Sequence, residues 1–206
     1  MNIFNDSNSA QKKFQGKIAG SKGAGYAEIF LNKEVEKFLR ENISDKNTKI
    51  IIYTDGSSRG NPGPGGFGAI IFSREKVLEI GGREEQTTNN RMEMKAAIEA
   101  LKIIPENSFV ELHADSEYLI KGITIWIKNW QKNNWRTKDK REVLNRDLWE
   151  ELLAQTENKN IEWKKVVGHS GHEFNDRCDE IATSFADGLN VDFYNGSESG
   201  YFLFHQ

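Results

Sequence analysis

Four carboxylates, Asp55, Glu93, Asp115 and Asp179, stand where an alternating strand-and-helix chain would gather its side chains. Asp55 follows the strand-forming run at 49–54, and Asp115 follows another at 109–114. If these strands are parallel neighbours, their ends lie about 5 Å apart. Glu93 falls one turn into the helix expected after 88, and Asp179 one turn into the last helix. Each acid alone reads as an ordinary loop or helix residue, the more so because an acid near a helix start is favoured by the helix dipole. The four together are harder to dismiss. Two carboxylates about 5 Å apart repel by roughly 3 kcal/mol at an effective dielectric of about 20. Such a cluster is tolerable only if some members take protons or a divalent cation fills the centre. Oxygen-only ligands suit Mg2+ or Mn2+. Two such ions roughly 3.5 to 4 Å apart stabilise both the attacking and the leaving oxygen of a phosphoryl displacement.

The elements that must position these acids follow from the hydrophobic pattern. Strands are expected over 49–54, 65–73 and 76–82, the last two joined by a tight turn at Arg74-Glu75. A helix is expected over 89–103, capped by Asn89 or Asn90 and stopped by Pro105. A strand over 109–114 precedes a helical stretch from 116 to about 131 that Gly122 could break. Further helices over 147–157 and 175–186 bracket a strand over 161–167. Strands alternating with helices after a meander imply a mixed sheet with helices packed on it. Ahead of this zone, Leu31, Val35, Phe38 and Leu39 recur at helical spacing, so 27–42 should hold a short amphipathic helix. The aromatic-rich tail, 188–206, could fold back as a strand or hairpin, or dock on something else.

Composition narrows the class. At 37% hydrophobic and 29% charged residues, with mean hydropathy -0.67, the chain is a soluble globular protein, and no run approaches the roughly 18 apolar residues of a spanning helix. The polar N-terminus lacks the apolar core of a secretory signal. One cysteine, Cys178, excludes an internal disulfide framework and points to a reducing, cytoplasmic setting. It is expected to pack in a helix. The net charge of -3 argues weakly against a nucleic-acid partner. Its distribution argues the other way: from Lys121 to Arg146 there are eight basic residues against two acids. A local basic patch is what a polyanion meets, whatever the total.

Five ordered blocks then become recognisable: Tyr53-Thr54-Asp55-Gly56-Ser57; Gly60-Asn61-Pro62-Gly63-Pro64-Gly65-Gly66; Thr87-Thr88-Asn89-Asn90-Arg91-Met92-Glu93; Asp115-Ser116-Glu117-Tyr118; and Gly168-His169-Ser170-Gly171-His172 with Asn175-Asp176-Arg177-Cys178-Asp179-Glu180. In this order they resemble type 1 ribonuclease H across 49–187. The resemblance implies a ribonuclease H-like α/β fold, a five-stranded mixed sheet (βββαβαβα) with helices on both faces. It implies that Asp55, Glu93, Asp115 and Asp179 bind two Mg2+ ions, with Mn2+ a possible substitute, and that His169 assists proton transfer or product release. His172 is expected to be structural and His113 to pack.

The resemblance also implies the substrate, an RNA/DNA hybrid whose RNA strand is cut, read through the 2′-hydroxyls that distinguish RNA. Gly56, Ser57, Asn61, Asn89 and Asn90 match positions lining the minor groove, while Thr88, Arg91 and Asn145 match a site for a DNA-strand phosphate. The basic stretch resembles the handle of the bacterial and animal enzymes, with Lys128, Lys132 and Arg136 facing phosphates. Trp135 divides evenly between packing and duplex contact, whereas Trp126 and Trp130 should pack. Glu117 departs from the family pattern. The expected protein is thus an endoribonuclease, acting as a monomer with no membrane partner. The rival readings are a non-catalytic hybrid-binding protein and another nuclease of the same fold. Residues 1–48 form an unassigned extension, and 188–206 an unassigned tail.

Overall fold

The computed structural model describes residues 14–15, 49–168 and 172–204; the helix expected over 27–42 and His169 lie outside the described residues. Strand β1 (Phe14–Gln15) is followed by β2 (Lys49–Ser58), β3 (Gly63–Ser73) and β4 (Lys76–Thr87). Then come α1 (Asn89–Lys102), β5 (Phe109–Ala114), α2 (Glu117–Lys121), a π-helical turn (Gly122–Trp126) and α3 (Ile127–Lys132). The chain continues through α4 (Arg146–Thr156), β6 (Asn160–Lys165), α5 (Glu173–Ala186), β7 (Asp192–Phe193), β8 (Asn195–Ser197) and α6 (Glu198–Phe204).

The main sheet runs β6-β5-β2-β3-β4-β8. Its β2–β5 and β5–β6 pairs are parallel and the others antiparallel. The five expected strands therefore form the expected mixed sheet, and the tail adds a short sixth at its edge. The alternation of β2 and β5 feeds two cores. On one face Ile50, Ile52, Val110 and Leu112 pack with Met94, Ile98 and Leu101 of α1 and with Trp149 and Leu152 of α4. On the other, Tyr53, Ile70, Phe72 and Val77 pack with Cys178 of α5 and with Tyr194 and Tyr201 of the tail. Both faces are thus covered, which explains why the strands read as near-continuous apolar runs.

Two local readings change and a third holds. The cap of α1 is Thr88, whose extended backbone lets its hydroxyl accept from the Arg91 amide; Asn89 and Asn90 occupy the first turn instead. Strand β4 runs to Thr87 because β3 offers it partners from Gly63 onward. The helix from 116 does break at Gly122, where a Cβ would fall on the ring of Trp149. The backbone passes over the indole as a π-helical turn before α3 resumes.

Candidate active site

Register sets the first two acids. Thr54 pairs with Ala114 in the parallel β2–β5 ladder, so the next residues, Asp55 and Asp115, emerge side by side. Glu93 comes from α1, which covers the opposite face, and it reaches the pair because α1 passes very close to β2. A Cβ on Gly56 would land on the backbone of Met92 and Glu93. Carboxylate oxygens of Asp55, Glu93 and Asp115 consequently all lie within 4.8 Å of one another, the spacing a metal ion needs. Asp179, on α5, lies outside this group of three but acts electrostatically on Asp55.

The fold holds these charges at a cost. Asp55 and Glu93 are each 5% exposed. Burial, then Asp115 and more weakly Asp179 and Asp176, push Asp55 up to about 8, while the hydrogen bond from the Gly56 amide (2.7 Å) works against them. Burial, then Asp55 and Asp115, raise Glu93 well above the ordinary carboxylate range. Oε1 of Glu93 accepts weakly from the Asn89 amide at 3.3 Å, but Oε2 is buried without a hydrogen-bond partner. A buried, orphaned carboxylate oxygen facing two further acids suits a hard divalent cation, which answers both the missing partner and the repulsion.

Of the expected substrate residues, Gly56 and Asn89 touch this centre, through Asp55 and Glu93 respectively. Gly56 and Ser57 continue β2 beyond Asp55, Asn61 is exposed in the β2–β3 turn, and Asn89 and Asn90 are exposed in the first turn of α1. Thr88, Arg91 and Asn145 do come together: the Arg91 guanidinium donates to Asn145 Oδ1 at 3.4 Å and to Asp147 at 2.7 and 3.0 Å. That ion pair holds the Asp147 carboxyl below its ordinary range, so a phosphate at Arg91 would have to share it with Asp147. Lys128, Lys132 and Arg136 are exposed on α3 and the loop after it. Trp135 is half-buried against the core with the Arg146 guanidinium 5.4 Å from its ring centre. Trp126 and Trp130 continue an aromatic chain through Trp149 to Tyr118. His113 stacks on Tyr53 with ring centres 4.5 Å apart, and Glu117 pairs with Lys121 and Lys165.

Sequence reasoning assigned no role to Asn175 or Asp176. Asn175 is 1% exposed and donates to Asp115 Oδ2 at 3.4 Å, while Asp176 contributes to the upward push on Asp55. The available signal was spacing, since Asn175 precedes Asp179 by four residues and shares its helix face.

Comparison with known proteins agrees with this geometry. The RNase H family profile matches residues 47–187. Ribonuclease HI of Caulobacter vibrioides is 51% identical over 134 residues, covering 65% of this chain and 90% of that protein. Ribonuclease H of Pseudoalteromonas atlantica is 50% identical over 142 residues, covering 69% and 93%. The crystal structure of LC9-RNase H1, a type 1 RNase H with the type 2 active-site motif, superposes with a TM-score of 0.65 at 27% identity, covering 75% of this chain and 80% of that one.

Proposed function

The chain belongs to the RNase H family, and on that footing we propose that it is an endoribonuclease that hydrolyses the RNA strand of RNA/DNA hybrids. The observation that carries this reading is the convergence of Asp55, Glu93 and Asp115 within 4.8 Å, with one buried oxygen left for a ligand to satisfy. Asp55, Glu93, Asp115 and Asp179 are the residues that would hold two Mg2+ ions, or Mn2+ in their place. Ions bound there supply positive charge to the scissile phosphate and make an attacking water more acidic.

The chain's own groups do the rest. The raised Asp55 and Glu93 carboxyls bind protons when no cation is present and release them as it binds. Exposed Asn61, Asn89 and Asn90 offer amides to groove edges and sugars, and the Thr88–Arg91–Asn145 group offers donors to a phosphate. His169 is assigned to carrying a proton to the leaving oxygen or helping product depart. Water attacks phosphorus in line, the bond to the 3′-oxygen breaks, and the products carry 5′-phosphate and 3′-hydroxyl ends. The buried, unpaired Cys178 fits work in the cytoplasm. Among the described residues no helix is long and apolar enough to cross a membrane. The proposed catalytic domain is 49–187, active as a monomer.

A labelled hybrid incubated with Mg2+, Mn2+ or chelator tests this. Cleavage of the RNA strand alone is expected with metal, and none with chelator or on duplex DNA. Asp115→Asn should remove at least about 1,000-fold of the rate while hybrid affinity stays within a few-fold. Wild-type turnover by that variant would overturn the site assignment.

A further inference from the structure

The family match ends at residue 187, yet the residues beyond it are built into the same body as the site. The junction is Glu79 of β4, whose side chain is wholly buried. Its Oε1 accepts from Arg177 Nε and from the Tyr201 hydroxyl, both at 2.9 Å; its Oε2 accepts from Arg177 Nη2 at 3.0 Å and from the Tyr194 amide at 2.9 Å. Arg177 Nη2 also donates to the Asp192 carbonyl at 2.9 Å. One buried carboxylate thus ties β4, α5 and the tail together through these hydrogen bonds.

The placement of Arg177 on α5 gives this tie a consequence. Phe174, Arg177, Cys178 and Ile181 share one side of the helix; Asn175 and Asp179 share the adjacent side. From Cys178 onward α5 is seated on the sheet, where a Cβ at Gly66 would strike Ala182 and Phe185, and one at Gly68 would strike Cys178 and Ile181. The N-terminal half, which carries Asn175 and Asp179, is held by Cys178 against Gly68, by Arg177 on Glu79 and by Phe174. The Phe174 ring lies 5.2 Å from Tyr53 and 4.7 Å from Phe72, and its tail neighbours are Tyr201 at 6.1 Å and Phe202 at 6.2 Å. Tyr201, 1% exposed, therefore braces two of that half's anchors, Arg177 and Phe174.

We propose that the C-terminal tail is a positioning brace for the catalytic centre: Tyr201, acting through Glu79, Arg177 and Phe174, fixes the end of α5 that presents Asn175 and Asp179 to Asp115 and Asp55. Tyr201 is a positioning residue and touches no reacting atom. The proposal rests on the nuclease reading for its effect on metal and rate, but not for its effect on α5 itself.

The full chain carrying Tyr201→Phe keeps the ring and loses the hydroxyl, so it is the variant to measure; a chain ending at 187 would bare the apolar face under Tyr194 and Tyr201 and could simply unfold. Three readouts suffice: amide hydrogen exchange along α5, calorimetric Mg2+ affinity without substrate, and kcat against KM on a hybrid. In Tyr201→Phe, amides 176–180 are expected to exchange about tenfold faster, with 182–186 unchanged. Mg2+ affinity should weaken several-fold and kcat should fall with KM unmoved. Leu189→Ala, on an exposed tail residue, should match wild type. A lowered melting temperature with α5 exchange and Mg2+ affinity unchanged would overturn the brace, leaving the tail a plain stabiliser. If wild type neither binds Mg2+ nor cuts hybrid, the nuclease reading fails, and the exchange pattern alone still decides the brace.

Discussion

Asp55 is a carboxyl group that its surroundings keep largely protonated at neutral pH when no cation is near, because burial and Asp115 push it up to about 8. A group whose folded pKa is raised holds its proton more tightly in the native chain than in the unfolded one. Its contribution to stability is therefore complete below about pH 4 and is lost as pH climbs toward about 8. Glu93, raised by the same causes, adds to that slope. The depressed carboxyl of Glu111, held at about 2 first by Lys49 and then by His113, does its titrating at lower pH and leaves the window clear. In chelator, the melting temperature should fall between about pH 5 and 8, and Asp55→Asn should flatten the fall. That variant should gain about 2–4 °C at about pH 8 for each kcal/mol of repulsion removed, while losing cleavage. Mg2+ competes with the proton, so its stabilising effect on wild type should grow with pH. Thermal scans with and without metal check this; an Asp55→Asn slope equal to wild type would show that the repulsion is not there. The positions of these acids were legible in the sequence because strand ends and helix starts can be located from pattern. Their protonation was not, since it arises from burial and from neighbours distant in the chain.

At the scale of elements, the site depends on how closely α1 lies on β2. The strand run and the helix after Thr88 were readable from hydrophobic period alone, and so was the hairpin at Arg74-Glu75. The crossing distance was not, because it is set by one missing methyl group at Gly56, over the backbone of Met92 and Glu93. Gly56→Ala should push α1 outward, cost about 1–3 kcal/mol of stability and lower kcat by at least about tenfold as Glu93 withdraws. Urea unfolding with steady-state kinetics measures both. Wild-type kcat in a folded Gly56→Ala chain would mean that Glu93 does not depend on this approach. That the tail could fold back as a strand was legible, and β8 does pair with β4, but what anchors it was not, for a related reason. Its two-residue β7 and three-residue β8 are too short for a period, and the partner that fixes it, Glu79, reads as a polar position in a strand. Only the fold shows that Arg177 and Tyr201 meet there. Gly122 could be flagged as a break, but the ring of Trp149 that makes the break necessary is 27 residues further along the chain.

For the molecule as a whole, a net charge of -3 has to be reconciled with a polyanionic substrate. The fold does this by separation. The acids Asp55, Glu93 and Asp115 are drawn into one pocket, where protons or cations silence them. The cations Lys128, Lys132 and Arg136 stand out on α3 and its following loop, on a scaffold stiffened by the packed indoles of Trp126, Trp130 and Trp149. If that projection meets phosphates, binding releases counterions from the hybrid, and affinity must fall steeply with salt. Replacing Lys128, Lys132 and Arg136 together by alanine should reduce the slope of log affinity against log salt by about one unit for each phosphate no longer neutralised. Because these side chains are exposed and the indoles beneath them are untouched, melting temperature and kcat at saturating hybrid should not change. The effect should appear in KM at moderate salt and vanish at low salt, where the rest of the surface suffices. Fluorescence anisotropy of a labelled, uncleavable hybrid across a salt series gives the slope. An unaltered slope in the triple variant would assign the grip to other cations, with Arg91 first among them once freed from Asp147.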